Sequence, residues 1–238
     1  MRDALKGLHF FTRFAYSFSA LGYRQRRLFW NDQPGDFGGE RWLVTGASGG
    51  IGRAITEGAA EQGGEVLAVA RSKAKLAELT TDCGDAVTAA AVDLSKQKEI
   101  EALLDQLAES TSNSTIDVLV NNVGVLLNEH QLGDDGHELS FSTNLLNHYR
   151  LTNGLAERGL LADNAVVINM TSGGMYNVPL VVSKLNVLDA QAYDGVLAYA
   201  YQKRAQVVLN AWWREHYADR PWSFYVMHPG WVDTEGVK

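Results

Sequence analysis

The stretch LVTGASGGIGRAI, residues 43–55, constrains the fold more than any other part of this chain. An apolar run ends at Thr45, a turn with glycines at 46, 50 and 52 follows, and a helical pattern opens at once. Such a turn feeds a buried strand directly into a helix that packs back on it. The alternation then repeats. RWLVTG, EVLAVAR, AVTAAAVDL, IDVLVNNVG, AVVINMTS and SFYVMHPGW read as strands. GRAITEGAAEQG, KAKLAELTTD and KEIEALLDQLAE read as helices, with further helical sequence before AVVINMTS and before SFYVMHPGW. The strands are apolar without alternation, so both of their faces are buried. The expected fold class is α/β, a doubly wound parallel sheet of Rossmann type with helices on both faces.

With 238 residues, 46% of them hydrophobic, the chain can enclose one large core. NDQPGDFGG at residues 31–39 is loop-like and divides an aromatic, basic segment (1–39) from the main domain (40–238). Arg2, Lys6, Arg13, Arg24, Arg26 and Arg27 against Asp3 give residues 1–30 a charge of +5. The whole chain is −7, so the remainder carries −12, which argues against nucleic acid as a partner. The single Cys83 excludes an internal disulfide and suits a reducing, intracellular, cytoplasmic setting. His9, His130, His137, His148, His216 and His228 lack ligand spacing, so no metal is expected and they read as solvent or core histidines.

In VLAYAYQKRAQVVLN, residues 196–210, Tyr199 and Lys203 lie four apart and share one face of a helix. Tyr201 points away from Lys203 and has Arg204 as a rival partner three residues on. A lysine beside a phenol stabilises the phenolate and makes a tyrosine useful as an acid/base. Spacing alone favours the first pair, because an arginine fork suits carboxylate and phosphate better.

TGASGGIG resembles the T-G-x-x-x-G-x-G cofactor motif of the short-chain dehydrogenases/reductases. Further motifs follow in the family's order: VDL with Asp93 and Leu94, NNVG from Asn121 to Gly124, Asn144 in STNLL, Ser172 in NMTSGG, Tyr199 and Lys203 as Y-x-x-x-K, and HPGWVDT. The resemblance spans residues 40–238 and implies hydride transfer between a nicotinamide and a small-molecule carbonyl or alcohol, with an apolar substrate expected. It implies catalysis by Asn144, Ser172, Tyr199 and Lys203. In that scheme Tyr199 donates the proton, Ser172 binds the substrate oxygen, Lys203 holds ribose hydroxyls, and Asn144 holds a water that links Lys203 to solvent. The implied cofactor contacts are Gly46, Ser48, Gly50, Ile51, Gly52, Arg71, Asp93, Leu94, Asn121, Asn122, Val123, Gly124, Tyr199, Lys203, Pro229, Gly230, Val232 and Thr234. Val123 stands where the family has alanine, which narrows the cofactor floor.

The second strand ends in Ala70, Arg71 and Ser72 rather than in an acid. An acid there binds the free ribose hydroxyl of NAD, whereas arginine suits the extra phosphate of NADP, so NADP(H) is the expected cofactor and NAD(H) the alternative. The family continues beyond Thr234 with a substrate-covering segment and another strand, so a sheet one strand short is expected. The residues between Ser172 and Tyr199 form a longer insert than in compact members and are expected to border the substrate. A second reading, a catalytically weak cofactor-binding protein acting through interactions, is favoured by the short C-terminus and opposed by the intact Ser172, Tyr199 and Lys203.

Before residue 31, Leu5, Leu8, Phe11, Ala15 and Phe18 recur at helical intervals, widened by Phe10, Phe14 and Leu21. With its basic flank this segment is expected to form an amphipathic helix. It can lie at a membrane interface, dock on the domain or on a second subunit of a homo-oligomer, or act as a mitochondrial presequence. No run of 18 apolar residues is present, so no membrane-spanning helix is expected.

Overall fold

The computed structural model describes residues 12, 16, 19–29, 35–110 and 115–230. Six strands form one parallel sheet: β1 (Arg41–Thr45), β2 (Glu65–Ala70), β3 (Val87–Ala91), β4 (Ile116–Asn121), β5 (Leu161–Met170) and β6 (Ser223–Met227). Their order is β3-β2-β1-β4-β5-β6, so the direction of winding reverses between β1 and β4. The carboxyl ends of strands at such a reversal open a crevice above the sheet. Among the described residues β6 is an edge.

Helices cover both faces. α1 (Ala20–Arg27) precedes the sheet, α2 (Gly50–Glu61) follows β1, α3 (Lys73–Cys83) follows β2 and α4 (Gln97–Glu109) follows β3. After β4 come α5 (Leu139–Phe141), a π-helical turn (Ser142–Leu146) and α6 (Asn147–Glu157). The 22-residue α7 (Gly195–His216) lies between β5 and β6.

Strand periodicity divides the core in two. Leu43, Leu67, Val69 and Leu119 face a cluster completed by α4, α6 and α7. Val44, Val66, Ala68 and Val120 face a second cluster under α2 and α3. α4 buries Ile100, Leu103, Leu104 and Leu107, the stripe expected of a helix with one apolar face. Trp213 is fully buried, stacks on Phe224 at 6.0 Å and donates its indole N–H to Asn153 Oδ1 at 2.7 Å. That donation satisfies the one polar atom a buried tryptophan brings into the core.

The insert between Ser172 and Tyr199 contains only short 3₁₀ turns, Gly173–Tyr176, Val182–Lys184 and Ala190–Ala192, before α7 begins. Of the N-terminal segment, Ser19 caps α1 by accepting from Gly22 N at 3.3 Å. Leu5, Leu8, Phe10, Phe11, Phe14, Ala15 and Phe18, which carry the expected apolar face, lie outside the described residues, as do Val232 and Thr234. No described helix is long and apolar enough to cross a membrane.

Candidate active site

The glycine turn is locked onto the end of β4. Gly46 has φ +66°, a conformation open to glycine but strained for other residues. A Cβ on Gly52 would stand 2.2 Å from the Gly46 carbonyl oxygen and 2.6 Å from Asn122 Nδ2, so only glycine fits. Thr45 Oγ1 accepts from Asn122 N at 2.8 Å and Val123 N at 3.1 Å, and donates to Val120 O at 3.1 Å. Asn122 Nδ2 donates to Thr45 O at 2.8 Å. The N-cap of α2, Gly49, has no side chain with which to cap the first amides, and a Cβ there would meet nothing within 4 Å. An open cradle at a helix N-terminus, free of competing side chains, fits the diphosphate of a dinucleotide.

Around this cradle, Ser48 and Ile51 are half-buried. The register Thr45↔Val69 brings the end of β2 alongside the glycine turn, with Ala47 N donating to Val69 O at 3.2 Å. Arg71 follows, exposed and without a salt bridge among the described residues. Ser72 is occupied as the cap of α3. Asp93 Oδ1 accepts from Ser95 N and Ser95 Oγ, and the buried Leu94 offers its carbonyl to Asn147 Nδ2 at 2.6 Å.

At the other end of the crevice, α7 presents Tyr199 and Lys203 on one face, with Lys203 Nζ 5.5 Å from the tyrosine ring centroid. Ser172, just beyond the end of β5, lies near enough to the Tyr199 phenol to influence it. Tyr201 instead lies under Lys184 of the insert, 5.8 Å from its Nζ. Lys203 is 2% exposed and donates to Met170 O at 2.8 Å. Burial lowers its pKa to about 7. Burial also raises the Tyr199 phenol above its usual value, and the nearby Ser172 hydroxyl opposes this. Loss of solvent outweighs the Ser172 contribution, so the phenol is raised rather than lowered, contrary to what spacing alone implies. A Cβ on Gly124 would lie 3.3 Å from Lys203 Nζ and 3.4 Å from Asn144 Oδ1, so glycine here leaves the space between them open.

Two expected site residues are committed to the protein. The Asn121 side chain is buried and donates to Thr152 Oγ1 and Asn169 Oδ1, both at 2.9 Å, so it faces the core. Asn144 sits in the π-helical turn; its Nδ2 donates to Val125 O at 2.8 Å and Gln202 Oε1 at 2.7 Å, while Oδ1 accepts from Val125 N at 2.8 Å. Its carbonyl accepts from Gln206 Nε2 at 2.6 Å.

Thr45, His148, Gln202 and Gln206 were not singled out as site residues from sequence, yet each fixes one that was. Thr45 stands within the motif and was legible in principle; the other three carry no local signal. Pro229 and Gly230 follow β6, and Gly230 has φ +83°.

The model of the family described as short chain dehydrogenase matches residues 40–238. Dehydrogenase/reductase SDR family member 12 from Bos taurus is 35% identical, over 98% of this chain and 72% of that protein. Retinol dehydrogenase 13 from Homo sapiens is 28% identical, over 83% of this chain and 60% of its own length. Among solved structures, an uncharacterized protein from Mycobacterium paratuberculosis superposes with a TM-score of 0.73 at 27% identity, covering 84% of this chain and 71% of the other. A match running from the first strand past the last, on this strand order and this glycine turn, makes the chain a member of the short-chain dehydrogenase/reductase family of NAD(P)-dependent oxidoreductases.

Proposed function

We propose that the protein uses NADP(H) to interconvert an apolar carbonyl compound and its alcohol, with Tyr199 as the acid/base. The observation that carries this reading is the placing of Tyr199 and the buried Lys203 on one face of α7, with Lys203 Nζ 5.5 Å from the tyrosine ring centroid. The cofactor supplies or accepts the hydride. In reduction, Ser172 donates a hydrogen bond to the substrate oxygen and steadies its developing charge. Tyr199 delivers the proton to that oxygen. Lys203, protonated in part at neutral pH, stabilises the phenolate left behind and reaches the ribose hydroxyls. Asn144 supports the site by holding Val125 and the π-helical turn. Gly46, Gly50, Ile51 and Gly52 offer backbone to the diphosphate, and Arg71 takes the 2′-phosphate of NADP with a charge-assisted contact. Exposed Leu126, Val182, Leu188 and Leu197, from the loop after β4, the insert and the start of α7, support an apolar substrate, as does the likeness to a retinol dehydrogenase.

NADPH and NADH titration of the purified protein, followed by a panel of apolar aldehydes and ketones, tests this. Tighter NADPH binding with turnover is expected; tight binding without turnover on any substrate would overturn it.

The segment ahead of the domain is proposed to touch a membrane surface. On and just after α1, Leu21, Leu28 (81% exposed) and Phe29 (85% exposed) lie beside Arg24, Arg26 and Arg27. Apolar groups beside cations suit an anionic lipid interface. Full-length protein is expected to sediment with anionic liposomes and to be released by salt, while a version starting at Asn31 stays in solution.

A further inference from the structure

Two glutamines of α7, Gln202 and Gln206, lie one turn apart on either side of Lys203, and both are buried. Both reach the π-helical turn that holds Asn144. Gln202 takes the Asn144 side chain, and Gln206 Nε2 donates to the Asn144 carbonyl. The same Gln206 Nε2 lies 3.1 Å from His148 Nδ1, and His148 Nε2 lies 2.9 Å from the Val123 carbonyl.

Chemistry assigns every proton in this chain. A carbonyl only accepts, so His148 carries its hydrogen on Nε2 and gives it to Val123 O. His148 Nδ1 is then bare and accepts from Gln206 Nε2–H. The second hydrogen of that amide goes to Asn144 O. A protonated His148 would turn a second N–H against the Gln206 amide. Burial lowers the His148 pKa to about 3, so the polarity persists at neutral pH.

Gln206 Oε1 is buried with no hydrogen-bond donor among the described residues, so the side chain is held by its two amide hydrogens. What the chain of bonds achieves is placement. It ties the Val123 carbonyl, next to Gly124, and the Asn144 carbonyl to the helix that carries Tyr199 and Lys203.

We propose that His148 and Gln206 are positioning residues that set the Val123–Gly124 floor and the Asn144 turn at a fixed distance from Lys203. The effect on turnover rests on the oxidoreductase reading above; the effect on local structure does not.

Hydrogen–deuterium exchange of the full chain, with and without saturating NADPH, tests both residues. In Gln206→Leu and His148→Leu, exchange over residues 122–126 and 142–147 is expected to rise about tenfold while residues 65–83 stay unchanged. His148→Gln offers a donor to Val123 O and an acceptor to Gln206, so it should return exchange to within about threefold of wild type. Leu79→Ala, buried under the opposite face of the sheet, controls for stability and should leave both segments protected at a comparable loss of Tm. In turnover, Gln206→Leu should lower kcat about 10–100-fold with KM within about threefold. The proposal is overturned if Leu79→Ala opens the same segments. It is also overturned if His148→Gln behaves like His148→Leu, or if Gln206→Leu keeps wild-type exchange or wild-type kcat. Wild-type protein without turnover would remove the oxidoreductase reading, and the exchange data would still decide the positioning one.

Discussion

At the glycine turn, the groups that face the crevice are backbone amides; at α7, they are side chains held by other side chains. The glycine turn is built by residues 45–52 resting on Asn122 and Val123. The α7 end draws Gln202 to Glu138 and Asn144, Gln206 to His148, and Lys203 to Met170, through contacts 33 to 64 residues apart in sequence. A backbone site is set by shape and loses function when a side chain intrudes. A side-chain site is set by protonation and hydrogen bonding, and loses function when one proton or one partner is removed.

The sharpest test of that contrast is Tyr199→Phe, which keeps the ring and removes the proton. Turnover is expected to fall about 10²–10⁴-fold with NADPH affinity almost unchanged. Tyr201→Phe, with its ring under Lys184, should be close to neutral. Equal losses in the two would break the distinction between the helix faces.

Gly52→Ala should fail the other way. The new Cβ would press on the Gly46 carbonyl, and overpacking of about 1–3 kcal/mol corresponds to about 5–150-fold weaker cofactor binding, with little change in kcat at saturation. Isothermal titration and saturation kinetics separate the two effects.

Arg71→Asp probes the exposed cation that follows β2. NADPH should bind about tenfold more weakly and NADH almost as before. An unchanged NADPH/NADH ratio would show that the 2′-phosphate lies elsewhere.

The smallest expected effect is a pH dependence of the cofactor-free fold. Lys203 has a folded pKa of about 7, below its unfolded value of 10.5. Between these values the unfolded chain binds more protons, so stability rises with pH and is lower once Lys203 is charged in the fold. The gain attributable to Lys203 from pH 7 to 8 is about 1 kcal/mol, read from urea midpoints, and Lys203→Met should remove it. No difference in slope between the two proteins would mean that water reaches the ammonium.

Much of the fold was legible because its signals are local. Val66, Leu67, Ala68 and Val69 form an apolar run whether or not their neighbours are known, and their burial on both faces confirmed the reading. Gly46 and Gly52 mark a turn that other residues cannot make, and the four-residue spacing of Tyr199 and Lys203 survives in any helix. These determinations needed only covalent geometry and periodicity. Tertiary structure decided the rest, because desolvation and hydrogen-bond pairing depend on distant groups. The identity of Asn121 did not reveal that its amide would turn inward to Thr152 and Asn169. Nothing near Asn144 in sequence announced two glutamines 58 and 62 residues away. His148 read as any solvent or core histidine until packing enclosed it between Val123 and Gln206. Even for Tyr199 and Lys203, sequence set the pairing, but burial set their pKa shifts, and burial belongs to the assembled core.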